Sequence, residues 1–291
     1  MSKPPTKTAA KRSRGHRPHH RAASPVRHRR ATSHSPEYPT QIYGIHAVEA
    51  ALNNPGRDVH AIYLTKNAQN RLSETLERAQ TQADLSVVEV GPRDLDLRLG
   101  ADTVHQGALV ECAPLTEPAL AELMASARRN GTPLAILDQI TDPHNVGAIL
   151  RSCAVFGCAG VITTRRHSPP LAGTVAKSAS GALELVPVAL IQNLAKGLAA
   201  LAEEGFAVIG LDGQAEAAIE DAFTSQFEAN RPMAIVLGAE GRGLRQATQQ
   251  TCTSIARIEA PGCIASLNVS NAAAVALHTH ALLRRNALRR P

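Results

Sequence analysis

The stretch LAILDQITDPHNVGAILR, which runs from Leu134 to Arg151, decides the fold of this 291-residue chain. Its first four residues are apolar, as in a buried strand, and Asp142 and Pro143 are residue types that begin a helix. The same order of apolar run, loop and helical pattern recurs in MAIVLGAEGRGL (233–244) and in SIARIEAPGCIASLNVSNAAAVAL (254–277). Strands that alternate with helices predict an α/β fold with a mostly parallel sheet. The three loops would then meet at the carboxyl ends of the strands, where open α/β sheets bind ligands.

Charge separates the beginning of the chain from the rest. Residues 1–40 hold ten Lys or Arg and a single acid, Glu37, whereas the remainder holds 21 basic and 24 acidic residues. Such a polar segment cannot bury enough apolar surface to fold. Its positive charge either attracts RNA or only increases the solubility of the protein. The predicted parts are a disordered basic tail at 1–39, a small α/β domain at 40–113, a linker with a helix at 114–131 and a larger sheet domain at 132–291.

Periodicity predicts the individual elements. In the small domain the patterns indicate helix, strand, a single helix over NRLSETLERAQ (70–80), strand, short helix and strand. In the larger domain strands are predicted near 134–137, 160–163, 185–188, 207–211, 234–237 and 254–258, and a last helix from about 268 to 283.

Composition argues against several classes of protein. The five cysteines form no CxxC pair and no zinc spacing, so no metal site is expected. Their odd number is typical of reduced thiols in a cytoplasmic protein. No apolar run approaches the ~20 residues that cross a membrane, so no membrane association is predicted. Prolines in the basic tail disfavour the amphipathic helix of a mitochondrial transit peptide.

The glycine-rich loop at Leu237–Leu244 suggests a nucleotide pocket, but its glycines have the order GxxGxG, the reverse of a dinucleotide fingerprint. A nicotinamide oxidoreductase is therefore disfavoured. Gly241 and Gly243 are explained by a tight turn that needs positive φ angles. Glu240, a charge at the tip of a buried strand, is not explained by a turn alone.

The other two loops also carry more polar groups than a helix start requires. Capping accounts for Asp142, but Asn145 and Arg151 need a further reason. His144 is a candidate general base, although a histidine in a first helical turn more often caps the helix or faces solvent. In the third loop, the polar residues of Ser266–Asn271 suggest side chains that are turned into a site. The alanines at 272–274 would let a neighbouring backbone or a second subunit approach closely.

These three motifs, in this order and near the carboxyl end, resemble those of the SpoU (TrmH-type) RNA ribose 2′-O-methyltransferases of the SPOUT class. The resemblance covers 134–283 and implies a trefoil knot in the C-terminal sheet. Residues 43–112, with His105-Gln106-Gly107, resemble the family's small N-terminal RNA-binding domain, which is similar to a ribosomal L30-type fold. Over 41–283 the chain is most similar to the branch that methylates guanosine in 23S rRNA.

The resemblance also implies site residues and a cofactor, S-adenosylmethionine. Catalytic roles are implied for Asn145, Arg151, Glu240, Ser266 and Asn268, and a cofactor site is implied at Leu237, Gly238, Ile258, Leu267 and Asn268. The sequence departs from the family at Glu259, where a proline is frequent, and Pro261 supplies a proline two residues later.

Methyl transfer to a ribose hydroxyl needs two aligned reactants and removal of one proton, but neither a metal nor a covalent cysteine. The family likeness implies that Arg151 accepts the proton with help from a substrate phosphate. A guanidinium is almost never deprotonated in proteins, so a second interpretation is that Arg151 stabilises the developing alkoxide and grips the phosphate.

The function expected from this resemblance is methylation of a guanosine in 23S rRNA by a homodimer. Two alternatives stay open: methylation of a tRNA guanosine, and a non-catalytic RNA-binding factor for ribosome assembly on the same fold.

Overall fold

A computed structural model describes residues 39–82, 85–263 and 266–288. Two sheets form within this part of the chain. The predicted basic tail lies outside the described residues except for its last position. Among the described helices, none has both the length and the apolar content needed to span a membrane.

The first sheet belongs to the small domain expected at 40–113. Its elements are β1 (Thr40–Tyr43), α1 (Ile45–Asn53), β2 (Val59–Leu64), α2 (Lys66–Arg71), α3 (Ser73–Gln82), β3 (Val87–Glu89), α4 (Pro92–Leu99) and β4 (Ala108–Cys112). The strand order is β1-β4-β2-β3, and only β2 and β3 are parallel. The single helix predicted over 70–80 is wrong, because the chain leaves helical geometry at the buried Leu72, with φ −104° and ψ 9°.

The second sheet has seven strands, and all of its strand pairs are parallel. Its strands are β5 (Leu134–Asp138), β6 (Gly160–Thr164), β7 (Val188–Ile191), β8 (Ala207–Leu211), β9 (Ala217–Ala218), β10 (Met233–Gly238) and β11 (Ser254–Arg257). Its helices are α5 (Leu120–Asn130), α6 (Pro143–Phe156), α7 (Gly173–Ala179), α8 (Leu194–Glu203), α9 (Ile219–Glu228), α10 (Gln246–Thr251) and α11 (Val269–Ala287). The order β7-β6-β5-β10-β8-β11-β9 confirms the mostly parallel α/β sheet. The trefoil knot stays a prediction.

One predicted strand is misplaced. The pattern at 185–188 indicated a strand, but Leu185 follows a 3₁₀ turn at Ala182–Glu184 and is 74% exposed. The strand β7 begins only at Val188. Pro187 explains the shift, since proline has no N–H group to donate to a sheet. The other predicted strands of this sheet agree with the structure to within one residue.

Apolar side chains cover both faces of the large sheet. On one face, α6, α7, α9 and α11 contribute to a core that also includes α1 and the inner residues of the small sheet. On the other face, α5, α8 and residues around Phe206 form a second core. The helix of the predicted linker therefore covers β5, β6 and β7 of the large sheet.

A buried ion pair joins the small domain to the 3₁₀ turn at Ala182–Glu184. Arg57 Nη2 donates to Glu184 Oε1 at 2.5 Å and Arg57 Nε donates to Glu184 Oε2 at 3.1 Å, and the two side chains are only 1% and 3% exposed. Asn54 donates to the same carboxylate at 2.7 Å. Near α7, the hydroxyls of Tyr43 and Thr174 are hydrogen-bonded at 2.9 Å. The small domain therefore docks on α7 and the 3₁₀ turn through polar contacts as well as through the shared core.

His280 on α11 is buried against Phe223 and Phe227 of α9. Burial, with a smaller effect from the nearby Arg284, lowers the pKa of this histidine to about 4. An unfolded histidine titrates near 6.5, so between these values the unfolded chain binds a proton that the folded protein does not. The free energy of unfolding should therefore be highest above pH 6.5 and fall as the pH decreases towards 4, by on the order of 2–3 kcal/mol.

Urea unfolding at pH 7.5, 5.5 and 4.5 measures this effect. The variant His280→Phe should lose this part of the pH dependence. The variant His278→Gln, at an exposed histidine two positions earlier, should retain it. An equal loss of stability with acid in His280→Phe and in the unaltered protein would contradict the assignment.

Candidate active site

The three motif loops converge, as their strand order requires. Gly238 at the end of β10 lies opposite Asp138 at the end of β5, and β8 separates β10 from β11. The helices that follow the first and third loops, α6 and α11, pack closely together. Loops whose residues lie between 28 and 123 positions apart in the sequence therefore end at one edge of the sheet.

The first loop begins α6 as predicted. Asp142 caps the helix by accepting from the backbone N–H of His144 at 2.9 Å, and Pro143 occupies the first turn. Asn145 is buried, with 7% exposure. A Cβ atom on Gly147 would lie 2.5 Å from Ser178 Cβ and 2.8 Å from the carbonyl oxygen of Val175, so only glycine lets α7 approach this closely.

The glycine-rich loop folds back on its own strand. A Cβ atom on Gly238 would lie 2.3 Å from the carbonyl carbon of Gly243, and the N–H of Gly243 donates to Ala239 O at 2.8 Å. Gly241 and Gly243 have φ angles of 75° and 62°, which confirms the positive φ values expected of this turn. The fold-back presents Glu240 at its tip.

The third loop supplies Asn268, which caps α11. Its Oδ1 accepts from the N–H of Ser270 at 2.8 Å and from the Ser270 hydroxyl at 2.5 Å, and this leaves the amide NH₂ free to donate elsewhere. Asn268 Nδ2 donates to Asn145 Oδ1 at 3.0 Å and also to Glu240 Oε1. Asn145 Nδ2 donates to the same Glu240 oxygen at 3.0 Å. One residue from each loop thus joins a closed hydrogen-bonded cluster, Asn145–Glu240–Asn268.

The other expected catalytic residues stand outside this cluster. Arg151 is exposed on α6, and its side chain makes no hydrogen bond or ion pair with the residues that the structure describes. Ser266 is also exposed and has no such bond within the same ranges. His144, the alternative base, has its Nδ1 atom 3.1 Å from the Ser178 hydroxyl. Asn145 and Arg151 therefore face different surroundings, in keeping with their separation of six residues on one helix.

The expected cofactor residues surround the same loops. Leu237 is buried, and Ile258 is half-buried against the core beyond the end of β11. Leu267, in contrast, is 45% exposed just before Asn268. Glu259 is exposed and accepts from Arg257 Nη2 at 3.3 Å.

Two residues of this region were missed by the sequence analysis. Asp138 has a fully buried side chain, and its Oδ1 accepts from Arg245 Nε at 2.7 Å. Its Oδ2 accepts from the backbone N–H of Arg245 at 3.1 Å. The available signal was an acid at the end of the apolar run LAIL, because a buried carboxylate needs a partner.

Three of the five cysteines have raised thiol pKa values, which disfavours their thiolate forms. A hydrogen bond with Cys158, together with burial, raises the pKa of Cys153. Burial is the main cause that raises the pKa of Cys112 to about 11 and that of Cys252 to about 12. In the described part of the chain, no group of three or more His, Cys, Asp or Glu could hold a metal ion.

Comparison with known proteins finds relatives for both parts of the chain. Residues 133–278 match the SpoU rRNA methylase family, and residues 41–118 match the substrate-binding domain of RNA 2′-O ribose methyltransferases. The 23S rRNA (guanosine-2′-O-)-methyltransferase RlmB of Vibrio cholerae is 39% identical over 81% of this chain and 94% of its own length. The RlmB of Pseudomonas syringae is 35% identical over 86% of this chain and 98% of its own length.

Solved structures share the fold. The SpoU methyltransferase AviRb from Streptomyces viridochromogenes, crystallised with AdoMet, has a TM-score of 0.67 at 21% identity and covers 84% of this chain and 90% of its own. An AdoMet-bound rRNA methyltransferase from Sinorhizobium meliloti has a TM-score of 0.68 at 18% identity and covers 86% of this chain and 88% of its own. By its two matched domains and its relatives, this chain belongs to the SpoU rRNA methylase family.

Proposed function

We propose that this protein transfers a methyl group from S-adenosylmethionine to the ribose 2′ oxygen of a guanosine in 23S rRNA. The observation that carries the proposal is the Asn145–Glu240–Asn268 cluster, in which the three motif loops contribute one side chain each. The guanosine and the 23S rRNA are taken from the names of the RlmB relatives. With ribosomal RNA as the substrate, the proposed site of action is the cytoplasm.

The loops fit the proposed cofactor. Glycine at 241 and 243 leaves the backbone around the tip of the fold-back open to a ligand, whereas Gly238 lets the backbone of Gly243 pack against the end of β10. Apolar surface for an adenine ring is available from the half-buried Ile258 and the exposed Leu267. The residues that would hold S-adenosylmethionine are Leu237, Gly238, Ile258, Leu267 and Asn268.

When bound, S-adenosylmethionine would supply an activated methyl group, because the electron pair of the broken carbon–sulfur bond would stay on the sulfur while the ribose oxygen provides the pair for the new bond. The residues of the chain have to align the ribose hydroxyl and stabilise the charge that develops on it. Arg151 has no carboxylate partner among the described residues. We propose that it stabilises the negative charge on the ribose oxygen and binds a neighbouring phosphate. The proton of the ribose hydroxyl then passes to that phosphate or to water.

The cluster gives the remaining residues their proposed roles. Glu240 accepts two hydrogen bonds through Oε1, and this leaves its second oxygen available to a ribose hydroxyl. Asn145 orients Glu240, and Ser266 adds a hydroxyl beside the ribose. Asn268 links the cofactor loop to the start of α11. RNA is proposed to reach this site while it is bound by the domain at 40–113.

Methyl transfer can be tested with the purified full chain and radiolabelled S-adenosylmethionine. The substrates are 23S rRNA and bulk tRNA from cells that lack the protein, followed by mapping of ribose methyl groups. Label in a single guanosine of 23S rRNA is the expected result. Label in tRNA alone would establish the tRNA alternative, and no label in either RNA would favour a non-catalytic assembly factor.

We also propose that the protein acts as a homodimer through the outer faces of α6 and α11. Val155 is 70% exposed, and Val275 and Leu282 on α11 are each 37% exposed. Arg151 lies one helical turn before Val155 and so on the same face. The opposite faces of these helices, which include Ala273 and Ala276, are buried against other elements of the same chain. The small alanines thus serve a neighbouring helix, while the outer face remains for a second subunit.

The variant Val155→Asp should raise the dimer dissociation constant at least about tenfold, because a charge would be buried in the interface. Sedimentation velocity over a dilution series measures this constant. Leu97→Asp is the matched control, since Leu97 is 86% exposed on α4 of the small domain. A monomeric unaltered protein, or equal effects of the two variants, would contradict the proposed interface.

A further inference from the structure

The side chain of Asp138 is fully buried at the end of β5. Both of its oxygens accept from one residue, Arg245, through the side-chain Nε at 2.7 Å and the backbone N–H at 3.1 Å. Taking a carboxylate out of water is costly unless it is hydrogen-bonded and paired, and hydrogen bonds to an ionised group are the stronger kind. This contact therefore fixes Arg245 relative to the end of β5.

Arg245 is the residue at which the glycine-rich fold-back ends and α10 begins. The other end of the fold-back, Gly238, is fixed directly, since it pairs with Asp138 in the sheet. Both ends of the segment 238–245 are therefore attached to the same residue of a neighbouring strand. Glu240, the acidic member of the hydrogen-bonded cluster, lies within this closed segment.

Inside the segment, few bonds hold the backbone in place. The N–H of Gly243 donates to Ala239 O, and these two residues form an isolated bridge. Glycine at 241 and 243 adds backbone freedom, because glycine has more accessible conformations than other residues. The side chain of Glu240 is held by Asn145 and Asn268, and Leu244 is buried in the second core. The contact between Asp138 and Arg245 adds a polar attachment that fixes the backbone at the carboxyl end of the segment.

We infer that Asp138 is a positioning residue for the cofactor site: its contact with Arg245 closes the fold-back and holds Glu240 and the cofactor-facing backbone in place. The inference rests on the proposed function only for the identity of the ligand, S-adenosylmethionine. The closure itself is a property of the loop and can be measured without any ligand.

Hydrogen–deuterium exchange on the full chain tests the closure. In Asp138→Asn the amide hydrogens of 239–245 should exchange at least about tenfold faster, because a charge-assisted bond is lost and an NH₂ group faces a donor. Exchange over β8 (207–211) should stay unchanged. In Arg245→Met the backbone bond to Asp138 remains, so a smaller acceleration over the same segment is expected.

Calorimetric titration with S-adenosylmethionine tests the consequence for the site. Asp138→Asn should raise the cofactor dissociation constant roughly 10- to 100-fold. The dissociation constant for RNA should change less than twofold. The double variant with Arg245→Met should be no weaker than Asp138→Asn alone, since both substitutions remove the same contact.

Glu184→Gln is the matched control, because Glu184 is also a buried carboxylate paired with an arginine but lies at the junction with the small domain. It should lower the melting temperature without a change in exchange over 239–245 or in cofactor affinity. Unchanged exchange over 239–245 in folded Asp138→Asn would overturn the inference. If the unaltered protein bound no S-adenosylmethionine, the proposed function would fail, and the exchange measurement would still decide the role of Asp138.

Discussion

Replacement of Arg151 by alanine is expected to lower the rate of methyl transfer by at least about 10²- to 10³-fold, the usual cost of removing a group that stabilises developing charge. Affinity for S-adenosylmethionine should stay within about twofold of the unaltered value, since Arg151 is exposed on α6 and takes no part in the Asn145–Glu240–Asn268 cluster. Single-turnover methylation of 23S rRNA measures the rate, and calorimetry measures the affinity.

A second substitution separates the two roles considered for Arg151. Lysine keeps the positive charge but loses its proton more readily than arginine. If residue 151 accepts the proton, Arg151→Lys should gain activity as the pH rises. If it stabilises charge, the variant should keep partial activity with little change between pH 7 and 9. Arg129→Ala, at an exposed arginine on α5, is the control, and near-normal methylation by Arg151→Ala would refute either role.

The second large effect concerns the ion pair between Arg57 and Glu184. Arg57→Met leaves a buried carboxylate without its partner and should lower the free energy of unfolding by about 3–5 kcal/mol. The melting temperature should then fall by on the order of 10 °C. The double variant Arg57→Met with Glu184→Met should recover part of this loss, because it replaces both charges by apolar groups.

An exposed ion pair of the same composition provides the comparison. Arg165 contacts Glu117 through two hydrogen bonds, but the two side chains are 47% and 38% exposed. Arg165→Met should therefore cost less than about 1 kcal/mol. Urea unfolding of the three variants measures all these differences. Equal losses for Arg57→Met and Arg165→Met would show that burial does not control the energy of the Arg57 pair.

Local sequence signals were sufficient for most of the large sheet and for the convergence of the three loops. Apolar runs identified β5 and β10, and an aspartate followed by a proline marked the start of α6. The start of β7 was predicted three residues too early because an apolar run reaches back to Leu185, whereas the strand begins only after Pro187. The local pattern likewise did not indicate that the helix is interrupted at Leu72.

The contacts that hold the site together could not be predicted in this way. Asp138 and Arg245 are 107 residues apart, and Arg57 and Glu184 are 127 apart. Each of these residues has an ordinary local context, and only the folded chain shows which acid is buried beside which arginine. Asn145, Glu240 and Asn268 were found because each belongs to a motif, but their mutual hydrogen bonds required the structure.

The docking of the small sheet on α7 has a consequence for how a target nucleotide is chosen. Since one apolar core and a buried ion pair connect the two sheets, the distance from the surface of the small domain to Glu240 is set when the protein folds. An RNA held at both places must match that distance through its own shape. Under the proposed function, a ribose at a different distance from the RNA segment bound by the small domain is therefore not expected to reach Glu240.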